Sequence, residues 1–454
     1  MSVLTRMNPL RGVPNKREVL AWSAYDLANQ SFTLLIITLL FPSFFRDVVV
    51  GDPVQGARLW SVVSSSSLLI VVLVSPFVGA FADAGGFKKR LLIATGLGAG
   101  VSACALTGVG AGEVWFAALL FIAGNVCYQV GENLLAAFLP EIATPRNVAR
   151  ISAFGWASGY AGALVLLAIL AGVSIVAPPT PDGTRWFFLL AGLWFLTGIM
   201  VPALGLRESR PMETGDANPV AGAFRRLTET VSQATKYRQL VRFLVAFFVF
   251  AMGVQTVVYF AGILLDDFGF DAAKKFLFML QLTLTAGIGA VASGFLHNRL
   301  GSRNTVYFYL GVWIATCLGL VVLTAVPPAS RPEWLFWIVG NGFGVGLGGI
   351  GSASRAAVGR FTPTHKTAEF FGLWGMAYKL AGAVGALAFG QTKAAFGTAT
   401  FGPGGGSVGD VAALALLTLF FVVGAVLLGR VDERAGLRRS VRENRAIAAL
   451  RPMP

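Results

Sequence analysis

Twelve apolar stretches, each about one bilayer long, fill the chain from Val19 to Leu428. A hydrocarbon core of about 30 Å takes about 20 residues of helix to cross. In lipid every backbone N–H and C=O must find an internal partner, so each stretch has to be a helix. Charged residues make up 13% of the chain, against about 25% in soluble domains. The missing charge is missing from the stretches themselves. A soluble multidomain chain would leave those runs with no polar face, so the expected class is an all-α membrane protein.

The expected spans are 19–45, 59–82, 90–110, 114–139, 150–176, 186–206, 241–265, 274–296, 304–326, 334–358, 368–395 and 411–429. One connection is long and polar, with Arg210-Pro211, Gly215-Asp216 and Asn218-Pro219 as breakers. It divides the spans six and six. The expected organisation is a six-helix bundle over 1–206, a cytoplasmic linker over 207–240, a second bundle over 241–430 and a basic cytoplasmic tail over 431–454. The linker's second part, Val220 to Arg238, reads as a basic interfacial helix.

Net charge is +14. With both termini in the cytoplasm, inner segments hold 28 Lys and Arg, outer segments hold 7, and Lys379 lies within a span. That asymmetry follows the positive-inside rule. The basic residues are thus placed by topology, and nucleic acid is not an expected partner. Arg6, Arg11, Lys16 and Arg17 precede a run too long for a signal peptide, which reads as the first span. Cys104, Cys127 and Cys317 fall inside spans and read as small packing residues. His297 and His365 lie in inner loops without metal-ligand spacing. There is no P-loop and no nucleophile–base arrangement, so neither ATP-driven transport nor enzyme activity is expected, and no cofactor. Gly344-Val345-Gly346-Leu347-Gly348-Gly349 matches a dinucleotide fingerprint but has no strand before it. Gly340, Gly344 and Gly348 read instead as a close-packing ridge.

The two halves echo each other. After the second span comes Gly79-Ala80-Phe81-Ala82-Asp83, then Gly86, Lys88, Lys89 and Arg90. After the eighth come Gly294, Asn298, Gly301 and Arg303, at an offset of 215. Residues 131–170 match 351–390 at 11 of 40 positions. Such echoes argue for duplicated halves. Asp83 is placed to pair with a base or a helix N-terminus, so the loop reads either as a cytoplasmic latch or as a tight basic turn.

Polar residues inside spans are the candidate site. In the first span Asp26, Asn29, Gln30 and Thr33 share one face, and Tyr25 adjoins them. A charge there is costly against lipid, so Asp26 must face the bundle interior or water. It reads as a solute or proton site, or as a structural acid. In the fourth span Asn125, Gln129, Glu132 and Asn133 repeat the pattern. Two carboxyls at similar depth would raise each other's pKa, a device for proton coupling; the plainer alternative is an acid held by Asn and Gln neighbours. Lys379 lies about 18 Å along its span and needs a carboxylate, from the protein or from a solute. Gln255, Tyr259 and Asn341 are further cavity candidates, and Arg355 a gate or snorkelling residue.

Gly79 to Arg90 resembles the loop signature of the major facilitator superfamily. More narrowly, several segments are similar to its vacuole-effluxer-like branch, named for an autophagy-related amino-acid exporter. They are Ala21-Trp22-Ser23-Ala24-Tyr25-Asp26, Phe138-Leu139-Pro140-Glu141, Phe154-Gly155-Trp156, Ser354-Arg355 and Ala368-Glu369-Phe370-Phe371-Gly372. The chain departs from the branch at Leu27, Leu135-Ala136 and Gly351, where aromatic or polar groups are usual. The resemblance implies twelve transmembrane helices in two pseudo-symmetric six-helix bundles. It implies a monomeric plasma- or inner-membrane transporter whose helices 1 and 4 face a central cavity. An amino acid or related carboxylate is the implied solute, proton-coupled, with export the expected direction. Lys379 would take its anionic group, Asp26 and Glu132 the proton or amine, and Asn29 and Gln129 would orient it. The alternatives are a drug or siderophore exporter, and a non-transporting receptor or complex component.

Overall fold

A computed structural model of the protein describes Leu10, Val13 and residues 15–450, apart from 145–146, 181, 209–227, 229–235, 328–329, 364–365, 398 and 402–405. Twelve helices among these residues are long and apolar enough to cross a membrane. In chain order they are α1 (Lys16–Val50), α2 (Pro53–Gly85), α3 (Lys88–Ala105), α4 (Val114–Ile142), α5 (Val148–Val176) and α6 (Arg185–Gly205). The second set is α7 (Arg238–Asp267), α8 (Ala272–Leu300), α9 (Ser302–Ala325), α10 (Glu333–Phe361), α11 (Thr367–Phe396) and α12 (Val408–Leu428). A thirteenth helix, α13 (Glu433–Leu450), follows four residues later and is polar. Most of the expected linker helix, 220–238, lies outside the described residues.

α1 is not uniform. Phe32–Leu39 and Phe45–Val50 are π-helical, and Leu40 N–H donates to the Leu35 carbonyl five residues back. Pro42, which has no N–H to give, lies between the two stretches. The helix ends at Gly51, whose φ of 74° a side chain would disfavour. The expected first span stops short of this end. Hydropathy fades at Arg46-Asp47 while the helix continues, because those charges are paired internally.

The chain divides into two compact units. Unit 1 holds residues 1–56, 66–224 and 260–277. Here α3 packs on α4 and α6, and α1 on α5 and α6. Phe41 lies parallel to Phe121 at 5.5 Å and edge-on to Phe188 at 5.7 Å, filling the core of this unit. Unit 2 holds residues 57–65, 225–259 and 278–454. In it α9 packs on α10 and α12, the same relation as in unit 1.

Glycine contacts explain how the helices come so close. A Cβ on Gly340, Gly344 or Gly348 would strike Phe278, Thr285 or the Ala286 carbonyl of α8. Cβ atoms on Gly342, Gly346 and Gly349 would strike Thr316, Trp313 and Tyr309 of α9. The glycine run is thus a two-sided packing ridge of α10. In unit 1, Gly155, Gly159 and Gly162 of α5 serve the same end against Trp22, Asp26 and Leu27 of α1.

Candidate functional site

Unit 1 gathers the first-span stripe and Glu132 into one polar cluster. Asn29 is buried and donates a short hydrogen bond from Nδ2 to Glu132 Oε1. Its Oδ1 accepts from Gln30 Nε2 at 3.1 Å. Asp26 lies one turn before Asn29 on the same face of α1. The Asn29 amide therefore ties α1 to Glu132 of α4. The cluster is closed on a third side by α5. A Cβ on Gly155 would come 2.8 Å from Asp26 Oδ2, and one on Gly159 3.3 Å from Gln30 Nε2. Asp26, Gln30 and Glu132 are half-buried. Tyr25 is fully buried, its hydroxyl beside Thr95 where Gly96 and Gly131 leave room. Gln129 is half-buried, three residues before Glu132 on α4.

The polar stripe of α4 divides by direction. Asn125 Nδ2 donates to Ser67 Oγ at 2.7 Å and Asn133 Nδ2 to Ser75 Oγ at 2.8 Å. These two bind α4 to α2, whereas Glu132 turns toward α1. Thr33 leaves the acids as well and donates to the Tyr128 hydroxyl at 2.7 Å.

In unit 2, Gln255 and Tyr259 are buried on α7, and Lys379 is half-buried on α11. Asn341 of α10 spends its amide N–H on its own helix, donating to the Trp337 carbonyl at 3.0 Å. Its Oδ1 is buried without a hydrogen-bond partner. Next to Lys379 stands an aromatic wall that the sequence did not single out. Trp374 and Tyr378 lie parallel at 6.0 Å, Phe247 of α7 is 5.4 Å from Trp374, and the Arg355 guanidinium stands 5.7 Å over it.

The loop signatures are built on carboxylates absent from the expected set. Gly79 lines a small cavity with Ser75, Lys88 and Asn133. Lys88 is buried and pairs with Glu141 at the end of α4. Glu208, just past α6, accepts from the Lys89 backbone N–H at 2.7 Å and faces Arg90 at 3.7 Å. Gly86 turns the chain with a φ of 65°. The Asp83 side chain lies outside the description. In unit 2, Gly301 turns the chain with a φ of 81°, and Asn298 is exposed. Glu433, just past α12, accepts from the backbone N–H of Ser302 at 2.8 Å and of Arg303 at 3.0 Å. Arg360 lies 3.2 Å from the same oxygen that Ser302 engages, and Arg303 donates to the Val431 carbonyl at 3.1 Å. Burial pushes the Glu433 carboxyl up, but those N–H groups and the Arg360 charge outweigh it, leaving the group below its ordinary range. Each half thus uses a Glu following its sixth helix to cap the N-terminus of its third. The repeat of a Glu at those two places was the available signal.

Among the described residues, no three His, Cys, Asp or Glu side chains gather as metal ligands.

Residues 48–440 match the family described as vacuole effluxer Atg22 like. The chain belongs to that family. Relatives that it resembles include the Uncharacterized MFS-type transporter YxiO of Bacillus subtilis, 24% identical over 435 residues, which cover 93% of this chain and 97% of that one. Autophagy-related protein 22-1 of Penicillium rubens is 26% identical over 250 residues, 51% of this chain and 42% of its own. Among solved structures, a D-xylose-proton symporter superposes with a TM-score of 0.71 at 13% identity, over 93% of this chain and 99% of its own. The nucleoside transporter NupG gives 0.65 at 11% identity, over 95% and 99%. The fold is therefore the major facilitator fold, and the protein is an MFS-type, multi-pass membrane transporter.

Proposed function

We propose that the protein moves a small polar solute, an amino acid or related carboxylate, by alternating access coupled to protons, in the direction of export. The observation that carries this is the pair of half-buried carboxylates, Asp26 and Glu132, inside two membrane spans, with Glu132 held by buried Asn29 one turn from Asp26. Ionised acids inside a span are costly, and they mark solute or proton paths. In this reading Asp26 and Glu132 take up and release the proton or bind the solute's amine. Asn29 and Gln129 orient the solute, and Tyr25 and Gln30 support them. Lys379 takes the anionic group, with Gln255, Tyr259 and Asn341 as further contacts. Gly79, Asp83, Gly86, Lys88, Lys89, Arg90, Asn298, Gly301, Arg303 and Arg355 form the cytoplasmic gate. The transporter works as a monomer with both termini in the cytoplasm, its two six-helix bundles spanning 1–206 and 241–430. The 28-to-7 distribution of basic residues supports that orientation.

The test is flux in vesicles containing the purified protein. Asp26→Asn, Glu132→Gln and Lys379→Gln are each expected to reduce solute flux at least about tenfold while insertion stays normal. Unchanged flux in all three removes the site. The solute is found by thermal shift against amino acids, organic acids and sugars at two pH values, since saturation a hundredfold above Kd stabilises by about 2.7 kcal/mol. A carboxylate that stabilises the parent protein should lose its shift in Lys379→Gln.

A further inference from the structure

Unit 1 takes in 260–277, the end of α7 and start of α8, although these belong to the second half of the sequence. A buried ion cluster holds them there. Arg46 is only 5% exposed, on the last turns of α1. Its guanidinium grips Asp47 through Nε at 2.6 Å and Nη2 at 3.0 Å. Its Nη1 reaches Asp267 at 2.6 Å, and Nη2 lies 3.7 Å from Asp266. Lys275 of α8, 6% exposed, pairs closely with Asp266 and donates to Ser43 Oγ of α1 at 3.3 Å. Two cations and three carboxylates therefore tie the end of α1 to α7 and α8. Below them α1 and α7 touch: a Cβ on Gly262 would strike the Leu39 carbonyl and come 3.0 Å from Ser43 Oγ.

Unit 2 holds links of its own between α2 and the second half of the sequence. Trp60, near the start of α2, is fully buried and donates from Nε1 to the Tyr259 carbonyl at 2.7 Å. Ser65 donates to the Ala383 carbonyl at 2.7 Å. Spans alternate in direction, so the ends of α1 and α7 and the starts of α2 and α8 share one side, while Ser65 and Ala383 meet near mid-helix. On the opposite side the pairs Lys88–Glu141, Arg90–Glu208 and Arg360–Glu433 each stay within one half of the sequence.

We propose that the Arg46–Asp266–Asp267–Lys275 cluster is a latch that holds one side of the transporter closed and comes apart each time that side opens. The inference rests on the alternating-access reading. Its physical basis is the cost of buried charge. Paired, these groups tolerate burial; with one partner gone, the others are left uncompensated in the closed state only. Opening gives them water. Removing Arg46 therefore shifts the balance toward the open state. Removing Asp266 and Lys275 together takes out one charge of each sign, keeps the cluster's net charge and shifts it less.

The test reads access directly. Ser43 is buried at the seam, 8% exposed. In purified full-length protein with Cys104, Cys127 and Cys317 replaced, Ser43→Cys is labelled with a water-soluble maleimide. The parent should label slowly. Adding Arg46→Gln should speed labelling at least tenfold. Adding Asp266→Asn with Lys275→Gln should give a smaller increase, in a variant whose cluster keeps the parent's net charge. Labelling within twofold of the parent in both variants overturns the latch, and so does fast labelling in the parent. Labelling that responds in protein with no solute flux upholds the latch and sinks the transport reading instead.

Discussion

Asn29 is the residue on which the acid site turns. Its amide holds Glu132 of α4, and it stands one turn from Asp26 on α1. Tyr25 shows how tightly this neighbourhood is built. A Cβ on Gly131 would run into its hydroxyl. Gly131→Ala should therefore lower Tm, with a cost of about 1–3 kcal/mol typical of overpacking. Tyr25→Phe removes the atom in the way and should recover most of the loss. A double-mutant cycle by thermal unfolding checks this, and additive effects would show that the contact is unimportant. The face shared by Asp26, Asn29 and Gln30 is legible in sequence because i, i+3, i+4 spacing has one geometric meaning. The split of Glu132 from Asn133 is not. Neighbours on a helix point about 100° apart, and which direction meets α1 depends on how α4 is rotated.

Among the elements, α10 depends on where its glycines lie. Gly348 abuts a backbone carbonyl of α8, which has no side chain to swing away, whereas Gly351 has open space. Gly348→Ala is expected to lower Tm clearly. Gly351→Ala should be neutral or stabilising, because Ala is favoured over Gly by about 1 kcal/mol inside a helix. Thermal unfolding of the two variants side by side checks the ridge, and equal effects would contradict it. α4 is held to α2 by Asn125–Ser67 and Asn133–Ser75, eight residues apart on each helix. Ser67→Ala takes an acceptor from a buried amide and should cost about 0.5–1.5 kcal/mol, measured as loss of thermal stability. Ser75→Ala should cost less, since Asn133 is exposed whereas Asn125 is buried.

Across the whole molecule, α13 ties the chain's last helix to the rest of unit 2. Besides the Glu433 cap on α9, Ser440 donates to the Thr362 carbonyl at 3.1 Å, and Tyr237 donates to Glu443 at 2.6 Å. Burial, then that hydrogen bond and the Glu443 charge, push the Tyr237 hydroxyl above its ordinary range. The Glu433 carboxyl is shifted down, so the charged form is the one the fold prefers. Its contribution is complete above the ordinary carboxylate pKa and is lost as pH falls through the lowered value. The Tm gap between the parent and Glu433→Gln should therefore be constant near neutral pH and close in acid. A gap that widens in acid would reverse the assignment.

Span number and order, the basic asymmetry and the halves' echo are legible in the chain because a bilayer imposes one length and one sign rule on every segment. The identity of the polar residues in α1 and α4 is legible for the same reason, since apolar surroundings make each polar group conspicuous. Partners are another matter. Arg46 meets Asp267 across more than two hundred residues, and Glu433 caps a helix that begins well over a hundred residues earlier. No local periodicity carries such pairings. They were decided by tertiary packing, because a buried charge takes whichever opposite charge the fold brings within reach.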